Sequence, residues 1–581
     1  MASEKRSYSF LLKHEDYWAC WLGAFLLILG LILFFAGAPA DMEQTIAESN
    51  AIMQAEAERA PFHTVAWYDA NSAKAGLKGS NAPVAKTISK YLKTPGTWNA
   101  SNPGKSFFLS ESAAEAKRTE AAADYEVAKA ATAEAKEAAL QAEEAAAAAG
   151  FQDEALNQEA KDKIAAWQDA KSTESKAKTA AETKSYNYII TMIVLMVFLG
   201  LLFSVGNHFM NGSAKKFLIA FPFVFIVAVL AYFLGSHEFS KAWGLEYVIW
   251  AIFIGLLVSN TVGVPEWLKP ALQTEYYIKT GLVMLGATIL VNKILLIGPP
   301  GIICTWGVTP WVLIGTYAFG QKVLKIESRT LNMVISSDMS VSGVSAAIAS
   351  AAACRAKKEE LALAIGISMV FTAIMMVVLP LFIKAIGMNQ VIGGAWIGGT
   401  IDSTGAVVAA GELLGPVARD VAATVKMIQN ILIGIMAFCI AAFWTLKIDK
   451  LSKEESTIEL SARGALREIW LRFPKFILGF LGASVLFSVI YAIVGNDTAT
   501  VVIDNGLIST ISGLQKWFFA LAFSSIGLST NFRELAKYLK GGKPLILYVC
   551  GQSWNLILTL TVIWITYNYL FPGVMEALLA G

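Results

Sequence analysis

Charge is scarce in this chain. Only 16% of the 581 residues are Asp, Glu, Lys or Arg, against 55% hydrophobic residues and a mean hydropathy of +0.53. So little charge cannot cover a water-exposed surface, which excludes a soluble globular protein and points to an integral membrane protein. Histidine is scarcer still: His14, His63, His208 and His237 are the four in the sequence. None falls in the apolar segments that carry the motifs below, and the sequence offers no nucleophile–base spacing, phosphate loop or metal-ligand cluster. An enzyme is therefore not expected. The five cysteines (Cys20, Cys304, Cys354, Cys439, Cys550) lie in or beside apolar runs without metal-ligand spacing, which argues against a disulfide framework. A net charge of +2 with no basic, aromatic-interleaved stripe excludes a nucleic-acid partner.

What is abundant is apolar sequence in long runs. A helix needs about 20 apolar residues to cross the hydrocarbon. Thirteen such stretches can be counted, from 17–38 to 544–571, with 330–354 and 389–412 among them. Lys and Arg on the loops set orientation. With Lys5, Arg6 and Lys13 cytoplasmic, the basic loops at 215–216, 322–329, 447–475 and 533–543 also fall inside, and the carboxyl terminus falls outside. Arg355, Lys357 and Lys358 violate this scheme. The organisation that follows is an N-terminal transmembrane anchor at 1–38, an extracytoplasmic insert at 39–185, linking spans at 186–242 and two transport repeats at 243–384 and 385–581. Basic residues before the first apolar run and Ala36-Gly37-Ala38-Pro39-Ala40 after it give that run a rival reading as a cleaved signal peptide. The second half of the insert is rich in Ala, Glu and Lys, strong helix formers. Two long helices folding back at Gly150 are expected, the second running on into the span near Tyr186. The bland reading of this coiled-coil-like hairpin is a solvated charged arm; the sharper one is a surface for a periplasmic partner or a second copy.

Two stretches resemble one another, Ile254-Gly255-Leu256-Leu257-Val258-Ser259-Asn260-Thr261 and Ile397-Gly398-Gly399-Thr400-Ile401-Asp402-Ser403-Thr404. A second pair, around Ser336-Ser337-Asp338 and Ser524-Ser525-Ile526-Gly527, interrupts later spans with Ser and Gly. Such runs are poor helix interior. The expected fold is an all-α polytopic membrane protein with about 13 transmembrane helices, built as two inverted five-helix repeats with broken crossing helices. Half-helix amino ends suit an anion and freed carbonyls suit a cation. Asn260, Thr261, Ser336, Ser337, Ser342, Gly343, Ser345, Ser403, Thr404, Ser524, Ser525 and Gly527 are the expected substrate-binding residues. Ionisable residues at membrane depth are functional candidates, which adds Lys426 to that set and assigns Asp338 and Asp402 to ion coupling. Snorkelling toward the surface is the structural alternative for Lys426 and the preferred reading for Lys279. Glu412, Arg419 and Asp420 are expected in a solvated outer turn.

The stretch Gly398–Gly411, with Asp420–Lys426 after it, resembles the signature of the sulfate exporter family typified by bacterial YeiH membrane proteins. So do Val264–Pro270, Ser342–Ala346 followed by Lys357–Glu360, and Ile526–Phe532. The resemblance covers about residues 215–571. It implies a bacterial inner-membrane carrier, sharing the crossed-helix architecture of bile acid sodium symporters and sodium/proton antiporters. Where that family has a His-Asp-Thr run this chain has Asp402-Ser403-Thr404, which removes the residue best suited to titrate near neutral pH. The expected function is a secondary active transporter of a small inorganic or organic anion such as sulfate or a sulfonate, with Na⁺ or H⁺ coupling and no other cofactor. The rivals are a non-transporting membrane receptor or scaffold that uses the insert, and a sodium/proton antiporter.

Overall fold

The computed structural model describes residues 10–243, 245–448, 470, 473–531, 533 and 542–580. The basic clusters expected at 447–475 and 533–543 lie mostly outside these residues. The described chain is almost entirely helical and folds as two compact units.

One unit comprises residues 28–197 and 489–514. Its centre is a pair of long antiparallel helices, Glu111–Ala148 and Glu154–Ala181. Ser110 and Asp153 accept hydrogen bonds from first-turn amides and so cap their amino ends. The chain reverses through Gly150 and Phe151, both left-handed with φ of 60° and 58°. Ala and small polar residues fill the seam, with Ala128, Ala139, Ala146 and Ala160 buried. Helix Val65–Gly76 docks on the pair through a core of Val65, Ala139, Ile164 and Trp167, and helix Met42–Arg59 packs against Val65–Gly76. Arg59 donates to Glu143 at 2.6 Å, and the Val65 amide donates to the same carboxylate at 2.8 Å. The second long helix does not run on into the next span: it stops at Ala181, and Tyr186–Asn187 pairs antiparallel with Phe108–Leu109 before helix Tyr188–Asn211 begins. Thr183, Lys184 and Ser185 interrupt it with polar groups that a span would have to bury. Residues 489–514 belong to this unit as well, and Asp497 accepts from Lys74 at 2.7 Å and from Asn50 at 2.8 Å.

The other unit comprises residues 1–27, 198–488 and 515–581. Among the described residues of the whole chain, eight helices are long and apolar enough to cross a membrane: Glu15–Ala36, Tyr188–Asn211, Ala214–Gly235, Val291–Lys322, Lys358–Ala385, Pro416–Phe443, Phe476–Val494 and Lys543–Leu570. The protein is thus multi-pass. The count falls short of thirteen because several apolar runs are divided. The 243–261 run gives only the 15-residue helix Tyr247–Thr261, and the 276–293 run gives the 12-residue helix Thr274–Leu285.

Two further runs fold back on themselves. The 330–354 run forms helices Arg329–Ser337 and Val344–Cys354, joined by a single π-helical turn over Asp338–Ser342 and by Gly343 at φ 58°. The hydroxyls of Ser328 and Thr330, at the start of the first limb, both donate to the carboxylate of Glu360, just beyond the end of the second. The chain therefore enters and returns. The 389–412 run does the same with helices Gln390–Thr400 and Thr404–Leu414, joined by Ile401–Ser403, where extended Ile401 and Ser403 flank a bend at Asp402. A Cβ on Gly393 would meet Leu414, and one on Gly415 would meet the Gln390 amide at 2.6 Å. Between the bases of the two hairpins runs the 28-residue helix Lys358–Ala385, about 42 Å long at 1.5 Å per residue. The hairpins accordingly enter from opposite ends of that helix. Their tips touch, since a Cβ on Gly343 would lie 3.0 Å from the Asp402 carbonyl oxygen. The 330–354 run, expected as a broken crossing helix, and the 389–412 run, expected as a single span, are both hairpins.

The break expected at Ser524–Thr530 is absent. Helix Ser509–Ser529 runs unbroken through Ser524, Ser525 and Gly527. Ser529 Oγ bonds back to the Ser525 carbonyl, whereas the Ser524 and Ser525 hydroxyls are buried without a partner among the described residues. Its glycine serves packing: a Cβ on Gly255 would lie 2.6 Å from the Leu528 amide nitrogen, and one on Gly527 would lie 2.5 Å from the Ile252 carbonyl. Small residues here let two backbones meet, as they commonly do between membrane helices.

Candidate functional site

The hairpin tips break two helices inside the protein, which frees carbonyls at the ends of the incoming limbs and amides at the starts of the returning ones. The two sets are treated differently. The carbonyls are capped by side chains from helices Pro416–Phe443 and Lys543–Ile565. Lys426 Nζ donates to the Val341 carbonyl at 3.1 Å and to Gln429 Oε1 at 2.8 Å. Gln429 Nε2 lies 3.3 Å from the Ser340 carbonyl and 3.2 Å from that of Gly399, so one amide serves both tips. Asn555 donates to the Met339 carbonyl at 3.3 Å and Gln552 to that of Thr400 at 2.8 Å. The returning limbs begin at Gly343 and Ser403, and no side chain caps either amino end.

Those two amino ends open on one cavity of about 200 Å³. From the hairpins it is lined by Gly343, Val344, Asp402, Ser403 and Ala406, and from helix Lys358–Ala385 by Ser368, Met369, Thr372, Ala373 and Met376. The opposite wall is Thr274 and Glu275, with Ile526, Ser529 and Thr530. Among the described lining residues there is no Lys, Arg or His. Asp402, 3% exposed, accepts a hydrogen bond from Tyr548, and Ser368 stands beside both Asp402 and Asp338. Asp338, Asp402 and Lys426 interact electrostatically as a buried triad of net charge −1 when all are ionised. Neither carboxyl oxygen of Asp338 has a well-formed hydrogen bond among the described residues.

Of the residues expected from the sequence, Gly343, Asp402 and Ser403 line the cavity. Asp338, Ser342, Thr404 and Lys426 lie one layer behind it, with Thr404 Oγ1 accepting from Asn430 at 3.1 Å. Lys426 does not snorkel: it is 1% exposed. Nor does Lys279, which is 8% exposed and paired with Asp16 at 2.7 Å and Glu15 at 3.0 Å. Ser336 and Ser337 are buried in the first limb, and Ser345 is exposed on the return limb. Asn260 and its neighbour Ser259 are placed elsewhere, donating to the Thr530 carbonyl at 3.1 and 2.7 Å and so capping the end of helix Ser509–Ser529. Thr261 is exposed and bonds back to Leu257. Ser524 and Ser525 are buried in the continuous helix, and Gly527 is a packing contact. Glu412, Arg419 and Asp420 are not a solvated turn: the Arg419 side chain, 13% exposed, reaches Glu412 at 3.1 Å and Asp420 at 2.8 Å, tying the second hairpin's return limb to the following helix.

Sequence reasoning missed Ser368, Tyr548, Gln552, Asn555, Thr274 and Glu275. A signal for three of them was present. Tyr548, Gln552, Asn555 and Thr559 recur at helical spacing along one face of an otherwise apolar segment. Among the described residues, only His14, Glu15 and Asp16 are close enough together to suggest a metal site, and Lys279 already pairs with both carboxylates.

The family model described as "Conserved hypothetical protein 698" matches residues 219–548. A UPF0324 membrane protein of Nitratidesulfovibrio vulgaris is 53% identical over 561 residues, 96% of this chain and 95% of its own length. Since that alignment leaves few residues out, the relative shares the insert. A UPF0324 membrane protein of Rhodopirellula baltica is 54% identical over 65% of this chain and 68% of its own, and one of Nitrosomonas europaea is 28% identical over 70% and 89%. No solved structure matches the chain.

Proposed function

We propose a function from one premise: the chain belongs to the conserved hypothetical protein 698 family of multi-pass membrane proteins. It is a secondary transporter of a small solute bearing an anionic group, of the sulfate or sulfonate kind. The observation that carries this reading is the asymmetry at the hairpin tips. Every freed carbonyl named above has a side-chain cap, whereas the two uncapped amino ends face the same cavity. An amino end presents unpaired N–H groups and the positive pole of the helix dipole, which suits a negative group. Unwound backbone at membrane depth is characteristic of transporter sites. Asp338 and Asp402 would carry the coupling H⁺ or Na⁺, with Lys426 balancing charge. Both hairpins and their capping helices would move as one body against the wall formed by Thr274–Leu285 and Ser509–Ser529.

The hairpins also support the proposed orientation in an inner membrane with the amino terminus inside. If 329–354 returns to its own side, Arg355, Lys357 and Lys358 fall on the cytoplasmic face with the other basic loops, and the exception to the positive-inside rule disappears.

The test is uptake into proteoliposomes by the full chain, with sulfate, sulfonates, bicarbonate and carboxylates offered under imposed Na⁺ or H⁺ gradients. Gradient-driven uptake of at least one, lost in Asp402→Asn, is expected; absence of flux for all would overturn the proposal. A sodium/proton antiporter is the second reading, favoured by the acidic lining of the cavity. It predicts Na⁺-dependent proton movement with no solute present.

A further inference from the structure

The cavity proposed to receive the solute has an unbalanced charge inventory. Its described lining contains two carboxylates, Asp402 and Glu275, and no basic side chain. Lys426 is spent on the Val341 carbonyl and Gln429 behind the tips. Asp402 is held by Tyr548 at the pole where the two amino ends converge. Glu275 stands on the opposite wall, and its side chain is 49% exposed. Its nearest cation, Lys279, is 3.5 Å away and already committed to Asp16 at 2.7 Å and Glu15 at 3.0 Å. Glu275 and Thr274 also line a second cavity, of about 300 Å³, with Lys13, Glu15 and Gln273. A solute that reaches the tips by this route must pass the Glu275 carboxylate.

A free dianion would meet three carboxylates, Glu275, Glu15 and Asp16, that share the single ammonium of Lys279, and like charges disfavour one another most where water is scarce. Resting on the transporter reading, we infer that the solute is a small zwitterion: its anionic group lies at the Gly343 and Ser403 amino ends, and its ammonium group pairs with Glu275. Both ends of such a molecule find opposite partial or full charges, and its short carbon chain lies against Met369, Met376 and Ile526. The volume is below the roughly 300–1,000 Å³ of sites for drug-sized ligands, which limits the solute to a few carbons.

The test compares 2-aminoethanesulfonate with its hydroxyl analogue, 2-hydroxyethanesulfonate, and with sulfate, in proteoliposome uptake by the full chain and by Glu275→Gln. The wild type is expected to prefer the amino compound by tenfold or more, and Glu275→Gln to erase that preference while uptake of the hydroxyl analogue is kept or raised. Equal or better uptake of the hydroxyl analogue or sulfate by the wild type overturns the zwitterion and leaves the anion transporter standing. So does an unchanged preference in Glu275→Gln. No uptake of any of the three, in a protein whose melting shows it folded, overturns both.

Discussion

Gly343 is the residue on which the two tips depend most directly. Its φ of 58° is a conformation that side chains other than glycine rarely adopt, and a Cβ there would press on the Asp402 carbonyl at 3.0 Å. Gly343→Ala should therefore lower stability by about 1–3 kcal/mol and separate the tips; thermal unfolding in detergent would register it, and an unchanged melting temperature would count against the contact. Gln429 is the second such residue, since its amide reaches a carbonyl of each hairpin. Gln429→Leu leaves those groups buried and unpaired, at about 1–3 kcal/mol each. Gln552→Leu exposes only one such carbonyl and should cost less, an ordering that the same melting experiment reads. At this scale Asp402 and Lys426 were legible in the sequence, because an ionisable residue in an apolar run is conspicuous. Asn260 was misleading, because a polar residue that caps a neighbouring helix looks the same in sequence as one that faces a solute.

The hairpins are the element that hydropathy could not resolve. A 25-residue apolar run can cross a bilayer once or enter and return, and composition is the same in both cases. What distinguishes them is a turn that the first hairpin makes with one glycine at positive φ and the second with a bend at Asp402 between extended Ile401 and Ser403. The basic cluster on the wrong side was the one legible symptom. In variants lacking the exposed Cys439 and Cys550, single cysteines introduced at Glu327 and Lys357 should label from the same membrane face, and those at Met388 and Gly415 from the other. Labelling of positions 327 and 357 from opposite faces would show that the first hairpin crosses after all. Helix Ser509–Ser529 is the converse case, where Ser and Gly suggested a break and instead made close packing.

At the scale of the molecule, an all-helical, multi-pass chain with a helical insert was legible from composition and run length alone. The union of residues 489–514 with the insert was not, because it joins segments hundreds of positions apart. That union has a pH signature. Hydrogen bonds from Lys74 and Asn50 hold the Asp497 carboxyl below the usual carboxylate range. A depressed carboxyl stabilises the folded form above its unfolded pKa, about 3.9 for Asp, and loses that contribution as pH falls through the lower folded value. Amide exchange in residues 496–499 should therefore quicken below about pH 4 in the wild type, and should already be raised at pH 7 in Lys74→Met. If neither changes, Asp497 does not tether the segment.

The caps on the first hairpin come from far downstream: Lys426 and Gln429 lie about ninety positions later, and Asn555 more than two hundred. During synthesis the Asp338–Ser342 turn therefore leaves the ribosome long before its partners exist. The nascent chain must hold that apolar run either as a provisional crossing or sheltered outside the lipid until the last helices arrive. Held as a provisional crossing, the run would expose Lys357 on a different face in ribosome-stalled chains ending before Lys426 than in the completed protein; sheltered outside the lipid, it would expose Lys357 on the same face, so labelling of stalled chains separates the two.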